Sequence, residues 1–125
     1  MYNFSYEKVD SVDEAVKLMK GAEDGKFLAG GQTMLPTMKH RLAGPSDLID
    51  LGGIRDLRGM SSDENSVTIG AMVTHATVAS SNEVKKAIPA LAKLAGNIGD
   101  PAVRNRGTIG GSIANNDPAA DYPAA

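Results

Sequence analysis

The first 29 residues fit a strand, a helix and a second strand, and no other feature constrains the fold as tightly. Residues 4–9 alternate moderately and carry Phe4 and Tyr6, which reads as a short strand. Ser11 is followed three residues later by Glu14, the spacing of a capping box. Val12, Ala15, Val16 and Met19 then recur at i, i+3, i+4 and i+7, one face of an amphipathic helix. Gly21 and Gly25 close that helix, and residues 26–29 form a short second strand bounded by glycine. Strand, helix and strand in so few residues suggest a parallel β-α-β unit, because parallel neighbours need a crossover connection. A weak helical run over residues 37–42 breaks at Gly44-Pro45. Residues 47–51 then read as a third strand stopped by Gly52-Gly53. The expectation is a three-stranded parallel β-α-β lobe over residues 1–55.

A second lobe is expected over residues 56–125. Residues 61–66 are polar and turn-like, and Val67, Ile69, Ala71 and Val73 alternate with Thr68, Gly70 and Met72 as a half-buried strand. Thr74 caps a short helix running to about Ser80, and Ser80 with Glu83 forms another capping-box spacing. Val84, Ala87, Ile88, Leu91, Leu94 and Ala95 keep helical period with Pro89 among them. Proline removes an i to i−4 hydrogen bond, so two abutting helices are expected, with Pro89 in the first turn of the second. From Asp100 onward Gly, Asn, Asp and Pro dominate without core periodicity, which reads as a long loop. Such an ending suggests a chain cut short. The fold class is therefore α+β: an α/β-like N-terminal lobe followed by part of a larger sheet flanked by helices.

Composition narrows the function. Aromatics are 4% and Trp is absent, so aliphatic side chains fill the core, with Met19, Met34, Met38, Met60 and Met72 as flexible fillers. Thirteen basic against fifteen acidic residues argue against a nucleic-acid partner. No apolar run approaches the roughly 20 residues of a membrane span, and the N-terminus lacks the pattern of a signal peptide, so a cytoplasmic protein is expected. With no cysteine, this chain can hold no disulfide, thiolate nucleophile or cysteine-ligated iron–sulfur cluster. His40 and His75, far apart, argue against zinc and read as surface or capping side chains. Nothing reads as catalytic and nothing as a metal ligand.

Two glycine pairs remain. Ala29-Gly30-Gly31-Gln32-Thr33 follows a strand and precedes a helix, where adjacent glycines let a ligand approach backbone amides that form an anion-binding concavity. It matches neither the Rossmann nor the P-loop fingerprint, and alone it reads more simply as turn punctuation. The second pair, in Thr108-Ile109-Gly110-Gly111-Ser112, is flanked by hydroxyl residues, and Asn115 and Asp121 beyond it are suited to bonding polyol hydroxyls. Asp117-Pro118 suits a turn, and Arg104 and Arg106 suit either solvent or a ligand's negative charge. Two such loops in one short chain would suit a diphosphate joining two organic halves.

Those residues carry a resemblance. Phe4-Ser5-Tyr6, residues 29–36, residues 47–51, residues 69–74 and the run from Val103 to Asp121 together resemble the N-terminal half of the FAD-binding medium subunit of the molybdenum hydroxylases. That family includes aerobic carbon monoxide dehydrogenase and xanthine dehydrogenase, with FAD-binding domains of the PCMH type. The resemblance implies that both loops hold the FAD pyrophosphate through backbone amides. It puts Ala29, Gly30, Gly31, Gln32, Thr33 and Met34 in the first cradle, and Thr108, Gly110, Gly111 and Ser112 in the second. It puts Asn115 and Asp121 at the ribityl–phosphate part. Ser112 is often Asn in the family. The resemblance further implies a molybdenum-cofactor large subunit and an iron–sulfur small subunit as partners, with electrons passing from the clusters through the flavin to an acceptor. Family subunits run well past residue 125. A truncated interaction module with weak or no FAD binding is the alternative, and an unrelated phosphate- or nucleotide-binding module is a third reading.

Overall fold

Ser11 starts the first helix as its spacing predicts. In the computed structural model, which describes residues 1–125, Ser11 Oγ accepts from Glu14 N at 3.2 Å ahead of α1 (Val12–Gly21). The return bond of the box is shifted by one residue, with Asp10 N donating to Glu14 Oε2 at 3.2 Å. Asp13 and Glu14 in the first turn and Lys20 in the last suit the helix dipole.

Three four-residue strands, β1 (Ser5–Lys8), β2 (Gly25–Leu28) and β3 (Asp47–Asp50), make the expected parallel sheet, in the order β1-β3-β2. The strands joined by α1 are therefore not neighbours. Both pair with β3, Tyr6 and Lys26 opposite Leu48, and Glu7 and Phe27 opposite Ile49. Successive strand residues face opposite sides of a sheet, so burial of both Leu48 and Ile49 shows that β3 is covered on both faces, whereas β2 at the edge leaves Phe27 43% exposed. Leu48 and Ile49 are each 1% exposed, whereas every residue of β1 is exposed. Residues 1–55 form one of the two compact units into which the chain divides. Val9, Ala15, Met38, Pro45, Leu48, Ile49 and Ile54 are its buried apolar residues.

Residues 56–125 are the other unit. The segment read as a turn at 61–66 contains a strand: β4 (Met60–Ser62) pairs antiparallel with β5 (Val67–Ile69). Asp63 closes this hairpin, its Oδ1 accepting from Asn65 N and Ser66 N at 2.8 Å each. The alternation expected to run to Val73 stops at Ile69. There Gly70 N turns to Gly59 O and Met72 N to Leu57 O, both at 2.8 Å. Helices dominate the rest of the unit. Thr74 caps α3 (His75–Ser80) by accepting from Thr77 N. The next cap is Ser81, not Ser80: Ser81 Oγ accepts from Val84 N ahead of α4 (Asn82–Ala87), while Ser80 Oγ bonds back to Thr77 O within its own helix. Pro89 opens α5 (Pro89–Asn97) from its first turn, as expected. Val73, Val78, Val84, Ala92 and Ala95 form the core, with Met60, Val67, Ile69, Ala79, Leu91 and Ile109 packed on it. Fully burying a valine side chain contributes about 1.5–3 kcal/mol, so Val78 and Val84, both 0% exposed, anchor the helices.

Candidate functional site

Residues 29–34 connect β2 to α2 (Met34–Lys39). The helix starts two residues before Pro36, earlier than expected. A proline in the first turn loses only an amide that has no partner one turn back. Gly31 sits at φ +72°, a left-handed conformation that disfavours other residues. Leu35 N bonds to Gly31 O at 3.0 Å and Thr37 N to Thr33 O at 3.2 Å. Gln32 Nε2 donates to Gly30 O at 3.3 Å, which curls the side chain over its own loop. Thr33 occupies the cap position without a side-chain bond. The amides of Gln32, Thr33 and Met34 enter none of these bonds and stand at an uncapped helix start. Gln32 and Thr33 are exposed, and Ala29, Gly30, Gly31 and Met34 are half-buried.

The stretch from Asp100 is not a loop. It contains α6 (Pro101–Arg106) and α7 (Ile109–Asn115). Asp100 caps α6, its Oδ1 accepting from Val103 N at 2.9 Å with Pro101 at the first helical position. Thr108 caps α7, its Oγ1 accepting from Gly111 N at 3.2 Å. These are ordinary start signals, hidden in the sequence by short elements with little apolar period. The helix consumes the amides that a cradle would use. Ile109 N donates to Val73 O, Gly110 N to Ala71 O and Ser112 N to Thr108 O, at 2.9–3.0 Å. A Cβ at Gly110 would lie 2.5 Å from Ala71 Cβ and 2.7 Å from Ala71 O, so this glycine permits two backbones to touch. Three of the four amides expected to face a ligand, those of Gly110, Gly111 and Ser112, are thus bonded inside the protein. What remains for a ligand is side-chain chemistry: Ser112 and Asn115, three apart on one face of α7, with Asn115 exposed at its end.

The other candidates differ in their surroundings. Asp117 Oδ1 accepts from Ala119 N at 2.9 Å and closes its own turn. Asp121 is exposed and makes no capping bond to the 3₁₀ turn Tyr122–Ala124 that it precedes. Arg104 is structural, Nη1 donating to Ile98 O at 3.1 Å and Gly99 O at 3.3 Å. Arg106 is exposed, as is His40 at the end of α2. His75 is neither a surface nor a capping residue. It is 5% exposed, and its Nδ1 lies 2.9 Å from the Tyr122 hydroxyl. Burial holds its pKa below the ordinary imidazole value, while the charge of Asp121 pulls it upward. Burial, helped by Asp121, pushes the Tyr122 phenol up to about 12. The sequence carries the signal in the apolar Val78, three residues on and on the same face of α3 as His75.

An FAD pyrophosphate suits the two segments unequally. Residues 30–34 fit it: amides without acceptors, a glycine at positive φ, and an uncapped helix start whose dipole favours negative charge. Around Gly110 the backbone is already satisfied, so that segment fits only through its side chains.

Comparison with known proteins agrees with this chemistry. Residues 2–125 match the family described as the FAD binding domain in molybdopterin dehydrogenase. The chain is 48% identical over 122 residues to the carbon monoxide dehydrogenase medium chain of Hydrogenophaga pseudoflava, covering 97% of this chain and 42% of that one. It is 43% identical over 118 residues to the nicotine 6-hydroxylase medium subunit of Paenarthrobacter nicotinovorans, covering 94% and 42%. A solved structure of carbon monoxide dehydrogenase from Hydrogenophaga pseudoflava, lacking the Mo-pyranopterin moiety, superposes with a TM-score of 0.95 at 48% identity, over 98% of this chain and 43% of its own. The chain thus spans about two-fifths of the length of the curated relatives it matches. No helix is long and apolar enough to cross a membrane. On the matched family and on these relatives, the chain belongs to the FAD-binding domains of the molybdopterin dehydrogenases, the medium subunits of the molybdenum hydroxylases.

Proposed function

We propose that this chain supplies the pyrophosphate-holding part of a flavin medium subunit, through which electrons from a partner's iron–sulfur clusters reach an acceptor. FAD, when bound, supplies the redox chemistry, and the protein's work is binding and orientation. The observation that carries the reading is the open set of amides over residues 32–34 at the uncapped start of α2. Those amides, with Ala29, Gly30 and Gly31 forming the turn, hold the pyrophosphate oxygens. In the second unit Thr108, Gly110 and Gly111 fix the start of α7, so that Ser112 and Asn115 offer side-chain hydrogen bonds from one face. Asp121 accepts from ribityl hydroxyls. Residues 1–125 hold no cysteine for cluster ligation, and on the family resemblance the clusters belong to a small subunit and the molybdenum cofactor to a large one.

The test is a titration of the chain with FAD, followed by flavin fluorescence and amide chemical shifts. Shifts at residues 29–34, with side-chain shifts at Ser112, Asn115 and Asp121, are expected. No shift at millimolar FAD overturns the reading for this chain. Equal affinity for ADP would replace it with a general nucleotide-binding module.

A further inference from the structure

One buried side-chain hydrogen bond ties residues 117–125 to α3, and Ala120, Asp121 and Ala124 lie beside Lys93, Leu94 and Asn97 of α5. Within residues 117–125, Ala120 N bonds to Asp117 O, Ala124 N to Asp121 O and Ala125 N to Tyr122 O, and Asp117 closes its own turn. All of these are local. The hydrogen bond between the Tyr122 hydroxyl and His75 Nδ1 spans 47 residues, and Tyr122 is the one buried side chain of the segment. The two rings also pack, their centroids 5.5 Å apart and tilted by 42°.

The other end of His75 is equally constrained. Its backbone N–H donates to Gly107 O at 3.0 Å, and its Nε2 edge lies so close to Gly107 that a Cβ there would sit 2.7 Å away. Thr74, next to it, bridges Thr108, the cap of α7. His75 therefore touches both the turn that starts α7 and the residue beside Asp121. A buried side-chain bond of this kind is costly to leave half-made.

We infer that His75 and Tyr122 are positioning residues: together they fix the Asp121 carboxylate relative to the start of α7. This rests on the proposed FAD reading for its effect on binding, whereas the anchoring itself is measurable without FAD. Both side chains are buried, His75 at 5% and Tyr122 at 8% exposed. They act by holding Asp121, so their removal has no further effect once Asp121 itself is gone.

The test uses the labelled chain with Tyr122→Phe, His75→Asn, His75→Leu and Asp121→Ala, alone and with Tyr122→Phe added to Asp121→Ala. His75→Asn keeps a polar atom near the place of Nδ1, and His75→Leu removes it. Backbone order from amide relaxation and FAD affinity from fluorescence are read on each. In Tyr122→Phe and His75→Leu, amides 119–125 are expected to lose order while α3 to α5 keep theirs. FAD affinity should fall by about three- to tenfold, the loss of one net hydrogen bond. His75→Asn should restore part of both, and Tyr122→Phe should cost nothing further on the Asp121→Ala background. Unchanged order at 119–125 in Tyr122→Phe overturns the anchor. Lost order with full FAD affinity, or an undiminished cost on the Asp121→Ala background, overturns the positioning role and leaves the FAD reading standing. A wild-type chain that binds no FAD overturns that reading, while the relaxation data still decide the anchor.

Discussion

Glycine to alanine is the same chemical change at Gly110 and Gly96, yet the structure gives it opposite signs. At Gly110 the added Cβ would meet Ala71 Cβ at 2.5 Å and Ala71 Cα and O at 2.7 Å. Two of those atoms are backbone, so no side chain can rotate away, and the segments must separate by about 1 Å to reach ordinary contact. That movement stretches Gly110 N to Ala71 O and Ile109 N to Val73 O, now 2.9 and 3.0 Å. Overpacking costs about 1–3 kcal/mol, and each weakened backbone bond about 1 kcal/mol. Alanine's better helix propensity returns about 1 kcal/mol. The net loss for Gly110→Ala is about 2–4 kcal/mol. At Gly96, inside α5, the new methyl would lie 3.7 Å from Ala79 Cβ, an ordinary contact. Gly96→Ala should therefore stabilise by about 0.5–1 kcal/mol. Urea unfolding followed by helical circular dichroism measures both, provided the slopes match wild type. A Gly110→Ala protein within about 0.5 kcal/mol of wild type would refute the packing argument. Unchanged stability with lost FAD binding would show instead that Gly110 is there for the ligand.

Four further outcomes follow from individual residues. Gly31→Ala places a side chain at φ +72°, with Leu35 Cδ1 3.0 Å away; the strain costs about 1–2 kcal/mol in urea unfolding, and FAD affinity should fall with it. Asp100→Ala removes the 2.9 Å cap bond from Val103 N and should cost about 1 kcal/mol, with faster amide exchange confined to α6. For His75, between the ordinary value of 6.5 and its lower folded value the unfolded chain binds a proton that the folded chain refuses. Stability should thus fall as pH drops through that window, and His75→Asn should flatten the dependence. Tyr122 works the other way: it keeps its proton up to about 12 when folded and loses it near 10.0 when unfolded. Stability should fall as pH rises between those values, a dependence that Tyr122→Phe removes.

Much of the fold is legible in the sequence because its strongest signals are local. Ser11, Thr74 and Pro89 mark helix starts by short-range hydrogen bonding and steric rules, and each stands where those rules put it. The central place of β3 is harder to read, because β2 sets Phe27 and Leu28 side by side just as β3 sets Leu48 and Ile49. Sheet order depends on which strand is buried on both faces, a comparison among strands that no single segment contains. The hairpin of β4 and β5 escapes a pattern search because β4 offers only Met60, Ser61 and Ser62, and the pairing is fixed by the Asp63 turn instead of by apolar alternation. α6 and α7 escape it for a related reason. Their caps at Asp100 and Thr108 are visible, but Pro, Asn and Gly between them mask a helix held by tertiary bonds to residues 71–75.

The two Gly-Gly pairs look alike as letters and differ as physics. In the first, a positive φ at Gly31 turns the chain into a helix that no side chain caps, leaving donors unmatched. A free donor at a helix start favours an anion, and the proposed pyrophosphate contact uses those of residues 32–34. In the second, Thr108 caps the helix and the carbonyls of Ala71 and Val73 take the next amides, so Gly110 is demanded by contact between backbones. Keeping that residue small is consistent with any function that needs α7 in place. Only Ser112, Asn115 and Asp121 in this unit would then report on the ligand, and substituting them should change FAD affinity with little change in stability, since all three lie at the surface or half-buried. Motif spacing locates both loops, but the partner of each amide decides which one keeps donors open to a ligand.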